Sequence, residues 1–462
     1  MLGKILGRCL GCLPRGRRLT GLDWRRGPSF GTLCDVVASD KLVCVTGAGI
    51  SSGLPQKLDP SKKLPQWSEL LELLFLRFEL RLPTQDRDDC RRLLRLDTDK
   101  SSAKEWPTGP ELILCASILR KVDPAAFDLA FREAVTNRDG SFSPTHKLLL
   151  DLKPAGILTF NYDSGHENAA ALAGIALKPM LPSTEAELVE ALKTGTRPFY
   201  LKAHGSLDSA LELVLTQESY REVLVKSPTY RAFVQNVLTN FSLLFVGFRI
   251  SDPDFDAFID AVAYQFGSPL RSHVALFHDR ERSVDDIALR RRYGIHVLYF
   301  SDFGDVPHIL SEALSTPGPV LQRHLQRSLS TQRQDRDAAH AHFMTLGLAG
   351  RVCASNALRS GIDTLVRASD HFALSEVAYS LGIIDAKSNK ALLMELVENA
   401  QHADLAGRAL TVLRPALLES DLPRLESWLE KFRRDPLPGP HADRIEKYID
   451  YLLTYIPAKF RS

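Results

Sequence analysis

Thirteen residues near the amino end, Val43-Cys44-Val45-Thr46-Gly47-Ala48-Gly49-Ile50-Ser51-Ser52-Gly53-Leu54-Pro55, constrain the chain more than any other stretch. Leu42 to Val45 is a short apolar run rich in β-branched residues, the pattern of a buried parallel strand. Gly47 and Gly49 then permit a tight turn and close approach of the backbone to a ligand. Backbone N–H groups exposed at the start of a following helix would seat a phosphate or pyrophosphate. Ser51 or Ser52 would cap that helix or donate a hydroxyl. The spacing is not the dinucleotide fingerprint, because Ser52 stands where the third glycine would fall, and no Lys follows as in a P-loop. Taken singly, the stretch reads equally well as an ordinary strand-to-helix turn.

Later segments repeat the same grammar. Ala155 to Phe160 reads as a strand ending in Asn161-Tyr162-Asp163, with Glu167 on the next helix. Pro198 to Ala203 reads as a third strand, ending in His204-Gly205-Ser206, and Gln217 to Asn240 as one long helix. Ser242 to Val246 leads into Gly247-Phe248-Arg249-Ile250-Ser251-Asp252-Pro253-Asp254, and His273 to His278 and Ile295 to Phe300 close the series. Strands alternating with helices specify an α/β fold: a doubly wound parallel sheet, Rossmann-like, with its site along the carboxyl edges. His204 at such an edge is suited to general-base work, because small shifts bring an imidazole near neutrality.

Between the first two strands, Trp67 to Leu152 reads as an all-helical insertion, on whose last helix His146 is a packed side chain. Thr316-Pro317-Gly318-Pro319 marks a linker, and 316–462 reads as a separate all-α domain. Residues 1–31 carry Lys4, Arg8, Arg15, Arg17, Arg18, Arg25 and Arg26 against Asp23 alone. They read as a disordered basic extension, although Arg-rich leaders also serve in organelle targeting and in binding anionic partners.

Composition sets the class. The 462 residues are 44% hydrophobic and 25% charged with a net charge of +2, as expected of a soluble protein that binds neither membrane nor nucleic acid directly. Seven scattered cysteines, an odd number, point to reduced thiols and a cytoplasmic location. Cys9-Leu10-Gly11-Cys12 is a lone CxxC without the second pair a zinc site needs.

Four edge motifs in this order, Gly47-Ala48-Gly49-Ile50-Ser51, Thr159-Phe160-Asn161-Tyr162-Asp163 with Glu167, Ala203-His204-Gly205-Ser206 and Val246-Gly247-Phe248 with Ser251-Asp252-Pro253-Asp254, resemble the sirtuin superfamily over Asp40 to Leu314. The chain looks most like the zinc-less, sirtuin-like NADase branch of bacterial antiphage defence proteins. The resemblance implies NAD+ as substrate, with its pyrophosphate against Gly47, Ala48, Gly49 and Ser51. Gly247, Phe248 and Asp252 complete the implied cofactor-binding set, Gly247 by letting the backbone pass close to the adenosine half. Asn161 would contact the nicotinamide ribose and orient the attacking group, Asp163 would support that loop, and His204 would be the general base.

The sequence departs from the family at three places. No cysteine lies between Cys115 and Cys353, so the zinc module of protein-deacylating sirtuins is absent and no zinc is expected. The first loop is abbreviated after Ser51, with Gln56 to Gln66 inserted before the Trp. Arg249 replaces a small polar residue after Gly247-Phe248.

The expected activity is hydrolysis of NAD+ to nicotinamide and ADP-ribose, which in this family depletes NAD during abortive infection. The resemblance further implies a homo-oligomer, and a phage-derived or operon-encoded protein partner acting through the helical domain. Two other readings stand beside it: an NAD- or ADP-ribose-binding sensor or scaffold without turnover, and a protein deacylase, which the missing zinc module disfavours.

Overall fold

The structure, a computed structural model, describes residues 24–97, 107–207, 213–248, 271–281, 286–440 and 442–459. The chain divides into two compact units, with the boundary along the sequence falling between Leu314 and Ser315.

The first unit is built on six parallel strands: β1 (Leu42–Thr46), β2 (Gly156–Thr159), β3 (Phe199–Lys202), β4 (Ser242–Val246), β5 (His273–His278) and β6 (Ile295–Phe300). Their spatial order is β3-β2-β1-β4-β5-β6, the doubly wound order whose direction reverses between β1 and β4. The expected doubly wound sheet is therefore present. β1 is buried along its whole length, because parallel strands covered by helices on both faces have no solvent side.

Around the sheet run α1 (Pro28–Ala38), α2 (Trp67–Phe78), α3 (Thr84–Leu93), α4 (Gly109–Val122), α5 (Pro124–Val135), α6 (Pro144–Asp151), α7 (Gly165–Leu172), α8 (Glu185–Thr194), α9 (Gln217–Lys226), α10 (Pro228–Asn240), α11 (Asp286–Tyr293) and α12 (Asp305–Ser315). Helices α2 to α6 lie between β1 and β2. The first four of them share a core of their own, in which Leu71, Phe75, Phe127 and Phe131 are sealed from solvent together with Tyr162 of the β2 edge. Their starts are signalled locally. Asp123 Oδ1 accepts from the Ala126 N–H ahead of Pro124, and Gln66 N–H donates to Glu69 Oε2 at 2.9 Å.

The helix expected over Gln217 to Asn240 is two helices. Ser227, at φ −112° and ψ 82°, leaves the helical region because Pro228 follows, and its hydroxyl accepts from the Tyr230 N–H to start α10.

Among the described residues the second unit is all-helical: α13 (Pro319–Ser328), α14 (Arg333–Phe343), α15 (Leu348–Arg359), α16 (Ile362–Arg367), α17 (His371–Glu398), α18 (Ala403–Leu413), α19 (Leu422–Arg434) and α20 (Ala442–Lys459). The longest of these, α17, is kinked at Asp385. The Asn389 amide bridges the kink by donating to the carbonyls of Leu381 and Asp385, each at 2.9 Å. Among the described residues no helix is long and apolar enough to cross a membrane.

Candidate active site

The carboxyl ends of β1 to β4 deliver Gly47, Asn161, His204 and Gly247 to one edge of the sheet. A cleft of about 670 Å³, its open mouth included, lies there. Gly47, Ala48 and Ser51 line it from the first loop, Phe160 to Asp163 from the second, and His204 with Tyr220 of α9 from the third. Leu64, Pro65, Trp67, Leu70 and Val135 give it an apolar wall contributed by the insertion and the loop before it.

Gly49 and Gly247 are spent on each other rather than on the cleft. The Gly49 N–H donates to Gly247 O at 2.9 Å, and Gly47 N–H donates to Val246 O at 3.0 Å. A Cβ on Gly47 would stand 2.7 Å from Gly247 O, and Gly247 itself holds φ +82°. The missing side chains thus let two loops pack backbone to backbone.

The loop differs from expectation in how the chain leaves it. No α-helix starts at the loop: a single 3₁₀ turn, Ala48–Ile50, follows, and the next α-helix begins at Trp67. The Ile50 and Ser51 amides donate within that turn. Among the described residues, the Ala48 N–H finds no acceptor, unlike those of Gly47, Gly49, Ile50 and Ser51. Ser52 donates to Gly49 O, so it caps nothing. Phe248 stands edge-on to Phe160 at 5.5 Å between ring centroids, behind the cleft. Arg249 and Asp252 lie outside the described residues.

Asn161 is buried, and its side chain is oriented by two contacts. Nδ2 donates to Gly47 O at 3.0 Å and to Ser51 Oγ at 3.2 Å. Both amide hydrogens are then committed, and Oδ1 is left to accept from a ligand. Asp163 Oδ1 accepts from the Gly165 N–H at 2.9 Å, so this carboxylate shapes the turn into α7. The ring of His204 sits among Phe160, Tyr162 and Tyr220, with centroids 5.0, 5.6 and 5.3 Å away. Its Nε2 pairs with the Tyr220 hydroxyl at 3.1 Å.

Below these groups lies a polar floor that the sequence reading did not assign. Thr46, Thr159 and Lys202 end β1, β2 and β3 in register, and all three are buried. Lys202 Nζ donates to Tyr162 O at 3.1 Å, Asp163 O at 2.7 Å and Glu167 Oε1 at 2.9 Å, which satisfies all three of its hydrogens. The Tyr200 hydroxyl donates to Glu167 Oε2 at 3.0 Å, and burial, with Glu167 beside it, holds that phenol well above its ordinary range. His166 Nε2 lies 3.0 Å from Thr46 Oγ1. Burial pushes His166 well below its ordinary value, helped by His146 and Lys202. Burial also brings His146 down to about 4, against an opposing pull from Asp163. A basic residue closing the otherwise apolar Phe199-Tyr200-Leu201 run was the available signal for Lys202.

Among the described residues no group of three or more His, Cys, Asp or Glu side chains is placed to hold a metal. The five described cysteines are all buried thiols.

A family model described as a SIR2-like domain matches residues 155–298, which include the Asn161, His204 and Gly247 edges. The chain is similar to the NAD(+) hydrolase ThsA of Bacillus cereus (strain MSX-D12), 25% identical over 206 residues that cover 42% of this chain and 41% of that protein. It is also similar to the NAD(+) hydrolase ThsA of Acinetobacter baumannii (strain 532279), 24% identical over 189 residues covering 37% and 38%. The chain thus spans about two fifths of the length of the curated relatives it matches. The doubly wound sheet with these edge motifs is thus similar, over residues 155–298, to a SIR2-like domain, and the chain is distantly similar to the ThsA NAD+ hydrolases.

Proposed function

We propose that the cleft hydrolyses NAD+ to nicotinamide and ADP-ribose. The observation that carries this reading is the convergence of Asn161 and His204 on one cleft at the carboxyl edge of β1, β2 and β3. Breaking the nicotinamide–ribose bond develops oxocarbenium character at the anomeric carbon. Asn161 Oδ1 accepts from the attacking water or a ribose hydroxyl and fixes its approach, and His204 takes the proton released as the new C–O bond forms. Nicotinamide leaves with the electron pair of the broken bond. The apolar wall excludes bulk water from the aromatic leaving group.

One observation favours a second reading, binding of NAD or ADP-ribose without turnover: Tyr220 already occupies His204 Nε2. In the hydrolase reading, substrate must displace that hydroxyl.

We assign the physiological role to NAD depletion in the cytoplasm, as the sirtuin-like resemblance implies. Assembly into a homo-oligomer, or binding of a protein partner, through the helical unit after Ser315 sets the rate. Purified protein incubated with NAD+ should release nicotinamide, and Asn161→Ala or His204→Ala should each abolish release with the melting temperature unchanged. Turnover near wild type in either variant defeats the catalytic assignment. The same assay beside light scattering, on a chain truncated after Thr316, tests the control: unchanged rate and size defeat it.

A further inference from the structure

Two backbone groups that have no choice of polarity fix the hydrogen bonds at the base of the cleft. The Ser143 N–H can only donate, and it reaches His146 Nδ1 at 3.1 Å, with the Ser143 hydroxyl at 2.7 Å from the same nitrogen. His146 Nδ1 is therefore the acceptor, and the neutral ring carries its proton on Nε2. That nitrogen lies 3.4 Å from Ser51 Oγ. Opposite it, the Gly47 carbonyl can only accept, so it selects the Nδ2 end of Asn161, whose second hydrogen points at the same Ser51 oxygen at 3.2 Å. Ser51 Oγ thus faces a donor on each side. Both of its lone pairs are engaged, and its single hydrogen has no direction left except the cleft that Ser51 lines.

We propose that His146 is a positioning residue that makes Ser51 an obligatory hydrogen-bond donor, so that this corner of the cleft accepts a ligand oxygen bearing lone pairs and rejects a donor. Resting on the NAD+ reading, the ligand class is a nucleoside diphosphate sugar presenting a phosphoryl oxygen to Ser51. His146 reaches this corner from α6, the last helix of the insertion, held at its amino end by the capping pair with Ser143. His146 and Ser51 are both buried, so each misdirected hydrogen would meet another hydrogen with no water to separate them.

Three measurements test this on the full chain, with ADP-ribose as probe. In ¹⁵N-histidine spectra of the free protein His146 should be protonated at Nε2; protonation at Nδ1 overturns the proposal whatever the protein binds. In calorimetry His146→Leu and Ser51→Ala should each weaken ADP-ribose binding about tenfold or more, the worth of a hydrogen bond to a charged group. The double variant should bind like the singles, because both remove one donor. His146→Gln, whose amide can accept from the Ser143 N–H and donate to Ser51, should bind within about threefold of wild type. Additive losses, or wild-type affinity in His146→Leu, overturn the proposal, as does wild type that fails to bind ADP-ribose. Wild type that binds ADP-ribose in this pattern but releases no nicotinamide defeats the hydrolase reading alone.

Discussion

On one face of the sheet Val43, Val45, Leu158, Phe199, Leu201, Leu243 and Phe245 join Leu188 of α8 and Phe233 and Val237 of α10 in a continuous apolar layer. On the other face, one residue further along each of the first three strands, Thr46, Thr159 and Lys202 stand in a buried row. The same two-residue alternation supplies both. Burying apolar side chains stabilises without directing anything, whereas a buried ammonium or hydroxyl is tolerated only where it finds partners. Here those partners are the backbone and side chains around the loop that carries Asn161. Lys202 holds the carbonyls of Tyr162 and Asp163, and Thr159 Oγ1 accepts from the Asn161 N–H at 3.1 Å. One face holds the sheet together and the other places the site.

The largest expected effect comes from cutting the polar row. Lys202→Met leaves the half-buried Glu167 without its cation and the loop carbonyls without their donor, and should cost the first unit about 3 kcal/mol in urea unfolding. Leu201→Ala, one residue away on the apolar face, should cost about 2–5 kcal/mol through a cavity. Similar costs would hide different causes, and a second change separates them. Adding Glu167→Gln to Lys202→Met should restore much of the stability while nicotinamide release stays low, because the loop carbonyls remain unheld. Full recovery of both in the double variant would show that the polar face only stabilises.

That contrast also marks how far the sequence could be read. The strands were legible because apolar, β-branched runs end in polar turns, and parallel order followed from the helices between them. Asn161 and His204 were legible because each follows a strand end. The glycine loop was legible as a place of close approach, but absence of a Cβ cannot tell a ligand from the backbone of Gly247, which packs against it. Lys202 and Glu167 are 35 residues apart on different strand–helix units, so their pairing needed the register of β2 beside β3. The Gln217 to Asn240 break was visible as Ser227-Pro228, yet helical periodicity ran across it. Tyr220 had no local signal, since its role comes from facing His204.

A smaller effect should appear in acid. His146, ordinarily near 6.5, is held at about 4 by burial, and His166 is lowered by the same cause. The unfolded chain then binds more protons than the folded one between these values. The His146 contribution is complete above about pH 6.5 and is lost as pH falls towards 4, on the order of 3 kcal/mol, and that of His166 has the same sign. His273, at the amino end of β5 and also lowered to about 4, and His324 in the helical unit add losses of the same sign. The comparison that matters is therefore between wild type and His146→Gln. The variant should show a shallower fall in the first unit's melting temperature over that range. Identical slopes would mean that His146 does not titrate on unfolding and that the floor beneath Ser51 is wetter than its burial implies.

The smallest effect concerns the boundary between floor and wall. His204 meets both a hydroxyl, Tyr220 at 3.1 Å, and three aromatic rings. If the rings set its orientation, Tyr220→Phe should change stability by only about 1 kcal/mol, the net worth of one neutral hydrogen bond. The Phe ring keeps the edge contact with His204, so KM for NAD+ should hold within about threefold and kcat within about tenfold. Tyr220→Ala removes ring and hydroxyl together and should cost more in kcat, because His204 then gains rotational freedom beside the reacting carbon. The direction of the Tyr220→Phe change carries further information. A hydroxyl that substrate must displace slows the resting enzyme, so its loss should raise kcat/KM. A hydroxyl that steadies the ring through the reaction lowers kcat/KM when lost. A fall in kcat of a hundredfold or more, with KM unchanged, would place Tyr220 among the reacting groups and move the edge of the catalytic set from β3 into α9.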